Sequence, residues 1–198
     1  NFVDAADVII FDTKGQLLLD DTVKAVRAKM KDLDNAVIPG FYGKTTEGVI
    51  KTFSRGGSDV TGSIIANAVN AEIYENWTDV SGFLIADPRI VENPEAIETI
   101  TYRELRELAY MGASVLHEDA IFPVRSAGIP INIRNTNRPQ DAGTMIVSND
   151  YDFSRESLGH TITGIAGKKG FSTINIEKAM MNNELGFGMK VLNVLYQN

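Results

Sequence analysis

Apolar residues recur along this chain in two rhythms. Spacings of three and four mark helices. Residues 20–33 carry Val23, Val26, Met30 and Leu33 on one face, with Asp20 or Asp21 placed to cap it. Residues 58–70 carry Val60, Ile64, Ile65, Ala68 and Val69. Residues 101–112 turn Tyr102, Leu105, Leu108 and Ala109 inward, and Thr101 and Glu104 have the spacing of a capping box. A shorter helix is expected over 119–127, interrupted by Pro123 and ended by Gly128, and a last one over 184–196 with Phe187, Val191, Val194 and Leu195 on a face. Short apolar or alternating runs predict strands at 36–42, 71–79, 129–134 and 145–147, and extended chain at 49–53. The run 8–11, bounded by acids, reads as a buried strand or a helix end. Residues 161–166 and 172–178 alternate as two further strands.

The order over 49–79 is extended run, glycine turn, helix, strand. That order predicts a βαβ unit with parallel pairing. The fold class that follows is α/β, a mainly parallel sheet sandwiched by helices. In such sheets ligands sit at the carboxyl ends of strands, where Ser58 and Asp79 both fall. Residues 43–48, 81–89 and 135–143 are polar or irregular connections. The weakly patterned stretch 150–160 predicts a linker, dividing the chain into domains 1–150 and 151–198. Two strands and one helix do not bury a core alone, so the second domain is expected to be an incomplete α+β unit.

Composition narrows the class. The chain has 198 residues, 43% of them hydrophobic and 23% charged, the values of a globular protein. Its net charge of −7 argues against nucleic acid as the main partner, since phosphate neutralisation needs a basic surface. With no cysteine, disulfides and thiolate metal sites are excluded. Only two histidines are present, His117 and His160, so no His-rich metal site is expected. No apolar run approaches a membrane span and no signal peptide is visible, which leads to the expectation of a cytoplasmic protein without a membrane partner. The chain opens on Asn1 as if mid-domain, and is expected to be a piece of a longer protein.

The chemistry centres on Arg55-Gly56-Gly57-Ser58-Asp59. A helix beginning near Ser58 leaves several backbone N–H groups unpaired, and its dipole adds positive potential there. The two glycines let backbone approach a ligand closely, and Arg55 offers a planar fork to a carboxylate or phosphate. Asp59 repels a bare phosphate, and suits a ligand that also carries an ammonium group, such as an amino acid. Taken alone, the same five residues also describe an ordinary helix start with Ser58 as cap. The segment Gly43-Lys44-Thr45-Thr46-Glu47-Gly48 is not a phosphate loop: that pattern needs glycine where Ile38 stands.

A second cluster is Thr78-Asp79-Val80-Ser81-Gly82 followed by Asp87-Pro88-Arg89. This run resembles the nucleotide segment of the amino acid kinase family, and the Arg55–Asp59 turn twenty residues earlier narrows the resemblance to aspartokinases. The stretch from Met111 to His117 resembles the family's next segment, the stretch 128–147 the strand pair that closes the kinase domain, and the tail from Thr161 the start of a regulatory ACT domain. The resemblance implies transfer of the ATP γ-phosphate to the β-carboxylate of L-aspartate, the first step of lysine, threonine and methionine biosynthesis. It implies Arg55, Gly56, Gly57 and Ser58 at the substrate and Asp59 as the catalytic position. Thr78, Asp79, Leu84, Asp87, Arg89, Ser114 and Val115 would be at the nucleotide. It further implies Mg²⁺ with ATP, a feedback amino acid (lysine or threonine) at the tail, and a homo-oligomer joined through the tail. Three positions depart from the family's habit: Ser114 replaces a Lys, Glu118 a Pro, and Leu84 a Tyr. The family's N-terminal K-x-G-G-T-S segment is not in the sequence, and the piece by itself is expected to be inactive.

Two other readings compete. A dinucleotide-binding oxidoreductase also has a glycine turn and an acid about twenty residues on, but here the glycines are adjacent and preceded by Arg. A non-catalytic amino acid sensor would use the tail as its effector-binding and dimerising module.

Overall fold

The computed structural model describes residues 1–54, 56–110, 118–153, 162–167 and 169–197, with backbone only at 118 and 119. The chain divides into two compact units, Asn1–Gly167 and Lys168–Asn198.

Among the described residues, the first unit holds two sheets. A short helix α1 (Ala5–Val8), capped by the Asp4 carboxylate, leads into β1 (Ile10–Phe11), so the run 8–11 is shared between a helix end and a strand. The helix α2 (Leu19–Met30) follows with Val26 buried. Next come β2 (Tyr42–Thr45) and β3 (Ile50–Thr52), which pair antiparallel, while β1 pairs parallel with β2. The segment 43–48, read as a loop, is thus one arm and the turn of a hairpin. The expected strand at 36–42 is not formed; Val37 makes only an isolated bridge to Phe2. Gly43 explains the shift in position: a Cβ there would stand 2.3 Å from the Ile9 carbonyl oxygen, so the close β1–β2 approach is built on this glycine.

The central helix α3 (Gly57–Val69) follows β3 and leads to β4 (Tyr74–Thr78). The second sheet adds β5 (Thr99–Thr101), β6 (Ile131–Asn135) and β7 (Thr144–Val147) in the order β4-β6-β7-β5. Pairs β4–β6 and β5–β7 are parallel, β6–β7 antiparallel. The α/β class is as expected, with parallel pairs in the majority. The simple βαβ unit is corrected: β3 and β4 lie in different sheets, and α3 connects the two.

That role is visible in the packing. Val60, Ile64 and Ala68 join a core with Val3, Val8, Ile9, Phe11 and Val26, while Ala66 joins a second core with Ile100, Val124, Ile131, Ile133 and Ile146. Each such Val or Ile, fully buried, is worth about 1.5–3 kcal/mol. Val69, expected on the buried face, is exposed. The helix α4 (Tyr102–Tyr110) starts at the capping box foreseen in the sequence: the Thr101 N–H donates to Glu104 (2.9 Å) and the Glu104 N–H to Thr101 Oγ1 (3.3 Å). The helix α5 (Glu118–Ser126) contains Pro123 and packs on α3, where Asn67 donates to the Pro123 carbonyl at 2.6 Å.

In the second unit the helix α6 (Phe187–Gln197) forms after a single 3₁₀ turn at Met181–Asn183. The strand expected at 172–178 is absent, and among the described residues of 161–166 none is in a strand. The alternation is present in the sequence, but no described strand pairs with either run. Ile174 stands 64% exposed, as an apolar residue without a partner strand would.

Candidate functional site

The glycine turn is held by residues far from it in sequence. Gly56 takes a left-handed conformation (φ 60°) as the cap of α3, and no side chain caps the helix among the described residues. The first helical bond is from the Val60 N–H to the Gly56 carbonyl, 3.0 Å, so the preceding amides are free of the helix ladder. Gly57 is buried; a Cβ there would meet Phe53 Cβ at 2.6 Å and the Phe41 ring at 2.8 Å. On the other side, a Cβ on Gly40 would stand 2.9 Å from Ser58 Cα. Phe41 adopts φ 80°, unusual for an aromatic residue. Its N–H donates to Thr61 Oγ1 (3.1 Å), whose hydroxyl donates to the Gly57 carbonyl (2.7 Å). Gly40 is what lets the 39–41 segment close against the turn. Ser58 is exposed and Asp59 half-buried. Arg55 lies outside the described residues.

Asp59 is bonded from β4. Asn76 Nδ2 donates to Asp59 Oδ1 at 3.0 Å and to the Tyr74 hydroxyl oxygen at 3.1 Å, and that hydroxyl donates to the Asp59 carbonyl at 3.2 Å. Burial pushes the Tyr74 phenol upward, against the lowering effect of the Asn76 bond, and the Asp59 charge adds to the rise. Trp77 is 46% exposed, with the Arg134 guanidinium 5.0 Å above its ring.

Thr78 and Asp79 end β4. The Thr78 carbonyl accepts from the Thr136 N–H (2.8 Å) and hydroxyl (3.0 Å), which ties the strand end to β6. Gly82 is required next: at φ 96°, a Cβ would lie 2.2 Å from Thr144 Oγ1. That buried hydroxyl accepts from the Phe83 N–H (2.8 Å) and donates to the Ile97 carbonyl (2.6 Å), pinning both stems of the 83–97 loop. The stems also pair through Ile85 and Glu95 and through a Leu84–Ala96 bridge.

This loop walls a cavity of about 820 Å³. Four of the residues that the sequence assigns to the nucleotide line it, Asp79, Leu84, Asp87 and Arg89, together with Val80, Ser81, Gly82 and Pro88 of the same cluster. Thr78 does not line it, though it adjoins Asp79 and donates to that carboxylate at 3.3 Å. Ser114 and Val115 lie outside the described residues, as do His117 and His160. Arg89 grips Asp87 through Nε (2.9 and 3.1 Å) and a terminal nitrogen (2.6 Å). The side-chain and backbone hydrogen bonds from Arg89 hold the Asp87 carboxyl down at about 2, and the same pair raises the guanidinium.

The sequence did not point to Asn135, Arg138 and Asp141, which join Ser81 in the wall. Ser81 donates to Asp141 (2.6 Å) and accepts from Asn135 (2.9 Å), with Arg138 3.6 Å from the same carboxylate; all four line the cavity. Ile165, Ala166 and Gly167 also line it. Their strap is fixed by the Ile165 N–H on the Ile85 carbonyl (2.7 Å) and by Thr163, which donates to Glu104 at 2.5 Å. Burial pushes the Glu104 carboxyl up, but bonds from Thr101 and Thr163 outweigh it and the net shift is downward. No sequence signal linked 163–167 to the loop, because the contacts span about eighty residues. The lining mixes apolar residues (Leu84, Pro94, Ala96, Leu108) with charged ones (Asp79, Asp87, Arg89, Arg138, Asp141), a combination of the kind that small-molecule sites use.

Comparison with known proteins bears on this arrangement. The sequence profile of the Amino acid kinase family matches residues 4–135. Aspartokinase 3 of Bacillus subtilis is 45% identical over 171 residues, which is 86% of this chain and 37% of that protein. The crystal structure of Clostridium acetobutylicum aspartate kinase superposes with a TM-score of 0.89 at 59% identity, over 99% of this chain and 44% of that one. E. coli aspartokinase III, solved in complex with aspartate and ADP, gives a TM-score of 0.67 at 26% identity, over 77% of this chain and 35% of that one. The chain therefore spans less than half the length of each of these relatives.

Proposed function

The chain belongs to the amino acid kinase family, and from that membership we propose that it is part of an aspartate kinase, with the amino acid bound at the α3 turn and ATP in the cavity of the 79–97 loop. The reaction joins a β-carboxylate oxygen of L-aspartate to the γ-phosphorus of ATP; the bond to the β-phosphate oxygen breaks, and 4-phospho-L-aspartate and ADP leave. The acceptor carboxylate is already ionised at neutral pH, so the protein has little covalent work to do. It must position two anions against each other and neutralise the charge that gathers between them.

The observation that carries the reading is the uncapped start of α3, with its free amides beside a held carboxylate. Amides and helix dipole suit a substrate carboxylate, and Asp59 suits the ammonium group of the same molecule. Arg55 would add a paired contact to the carboxylate. Support for the nucleotide comes from the cavity, whose volume of about 820 Å³ and mixed apolar and charged lining suit a nucleoside triphosphate, and from E. coli aspartokinase III, which was solved with aspartate and ADP. Among the described residues that line the cavity, Arg89 and Arg138 are the cationic side chains, each paired with a carboxylate that a phosphate oxygen would share or displace. Magnesium would arrive on the phosphates, keeping most of its own waters, as this ion commonly does. The test is direct. The full-length protein, given ATP and L-aspartate, should release ADP and form an acyl phosphate that hydroxylamine traps as a hydroxamate. ADP release that does not depend on aspartate, with no hydroxamate, rejects the reading.

A further inference from the structure

We infer that Asn76 is a positioning residue that holds Asp59 away from the amides of its own helix and so keeps the amino acid site open; the inference rests on the assignment of the α3 turn given above. The starting point is an oddity of β4. Asn76 is the one residue of Tyr74–Thr78 that is buried, at 7% exposure. A strand places alternate residues on one face, and the inward position of such a strand ordinarily holds an apolar side chain. A buried amide is tolerated where its hydrogen bonds are made.

Here both protons of Nδ2 have partners, Asp59 Oδ1 and the Tyr74 hydroxyl oxygen, and the hydroxyl closes a ring on the Asp59 carbonyl. The ring depends on close approach of α3 to β4. Gly62, nearly one turn beyond Asp59, permits it: a Cβ there would lie 2.7 Å from the Tyr74 hydroxyl oxygen. Gly62 thus admits Tyr74, Tyr74 holds both Asn76 and the Asp59 backbone, and Asn76 reaches the Asp59 carboxylate.

The consequence follows from where Asp59 stands. With Gly56 as cap, Asp59 is the third helical residue. An acid at that position can reach back to the N-terminal amides and satisfy them itself. Such self-capping would place a negative charge where a substrate carboxylate has to bind. In the structure Oδ1 is instead directed to Asn76, α3 has no side-chain cap, and among the described residues Oδ2 accepts no hydrogen bond. Asn76 supplies a neutral donor, so it orients the carboxylate without cancelling the charge that would meet an ammonium group. The titratable group facing Asp59 from β4, among the described residues, is Tyr74.

The experiment uses the full-length protein and three variants. Asn76→Leu keeps the shape and removes both donors. Asn76→Asp keeps the shape and puts a second carboxylate in contact with Asp59. Tyr74→Phe removes only the hydroxyl. Thermal midpoint, kcat and the two Michaelis constants are measured across pH 5.5–8.5. Asn76→Leu should raise the aspartate constant by at least about tenfold, in line with losing a hydrogen bond to a charged group, and leave the ATP constant within about twofold. Asn76→Asp should show a larger loss at high pH that lessens toward low pH, as the paired carboxylates share a proton. Tyr74→Phe should show a smaller change of the same kind. Unchanged aspartate kinetics in Asn76→Leu overturn the inference. So does an equal loss for both substrates that tracks the thermal midpoint, since that is what a packing role gives. If Asn76→Leu does not fold, Tyr74→Phe decides by the same two criteria. A wild-type protein that does not phosphorylate aspartate removes the preceding reading and this one with it. An active wild type with indifferent variants removes this one alone.

Discussion

Two aspartates lie on the two sides of the proposed site, and they are held in opposite ways. Asp59 sits at the start of a helix whose sides touch both cores, and its carboxylate is bonded by a neutral amide 17 residues further on. Asp87 sits in a loop and is gripped by a cation two residues away, itself 86% exposed. The first arrangement is set by tertiary packing: Gly57 lies against Phe53 and Phe41, and Gly40 against Ser58. The second is self-contained, a short tip on stems pinned by Thr144. Packing fixes position to fractions of an ångström, whereas a local ion pair near the surface leaves its segment free to adjust. The contrast fits the two ligands. A small amino acid has few atoms by which to be recognised and needs a rigid turn. A nucleotide has many, and tolerates a loop that adapts to it.

The largest expected effect tests whether the rigid side belongs to the amino acid. Arg55→Lys keeps the charge and loses the planar fork. It should weaken apparent aspartate affinity by about 1.5–3 kcal/mol, the range for a charge-assisted hydrogen bond, and leave ATP nearly unaffected. Steady-state kinetics with each substrate varied in turn provide the measurement. An increase confined to the ATP constant would exchange the two assignments.

Next in size is a test of rigidity itself. Gly57→Ala inserts a methyl group where Phe53 Cβ would be 2.6 Å away. Overpacking of this kind costs about 1–3 kcal/mol. Pro88→Ala, in the exposed tip of the loop, should stay within about 0.5 kcal/mol, as surface changes usually do. Urea unfolding of both variants makes the comparison. Equal costs would show that loop and turn are equally constrained, and the contrast drawn above would fail.

The same division explains what could be read from the sequence. The capping box of Thr101 and Glu104 was legible because both halves lie within four residues. The irregular connection at 81–89 was legible for the same reason, since the Asp87–Arg89 pair within it spans two residues. Helices α2, α3 and α6 and strands β4, β6 and β7 followed from periodicity. Sheet membership did not: nothing in residues 49–79 says that β3 pairs back on β2 and leaves β4 to another sheet. No expectation fell on Asn76 within the strand read at 71–79, although the period of two places it with Tyr74 on one face. The strap 163–167 and the Ser81–Asp141 bond were hidden by separation, the latter spanning 60 residues. The alternating tail shows the reverse failure. A pattern that fits a strand does not make one until another strand pairs with it.

The smallest expected effect concerns the loop pair, and its sign can be worked out. The folded Asp87 carboxyl ionises at about 2, against an ordinary value of 3.8. A folded value below the unfolded one means that the pair contributes stability above the ordinary range, and that this contribution is lost as pH falls through about 2. At neutral pH Asp87→Asn should therefore change urea stability less than any variant above, because Arg89 is largely in water and the pair is screened. What it should change is the ligand. In the structure the Arg89 fork is taken up by Asp87, so a phosphate oxygen must share or displace that carboxylate. Removing the negative charge frees the fork, and ATP should bind somewhat more tightly at low salt, with the gain fading as salt is raised. Carboxyl chemical shifts followed through an acid titration check the first half, with a wild-type midpoint near 2 that moves toward the ordinary range in Arg89→Met. ATP titrations at two salt concentrations check the second. A midpoint already in the ordinary range in the wild type would mean that the loop is not organised by this pair, and the adaptable side of the site would need another anchor.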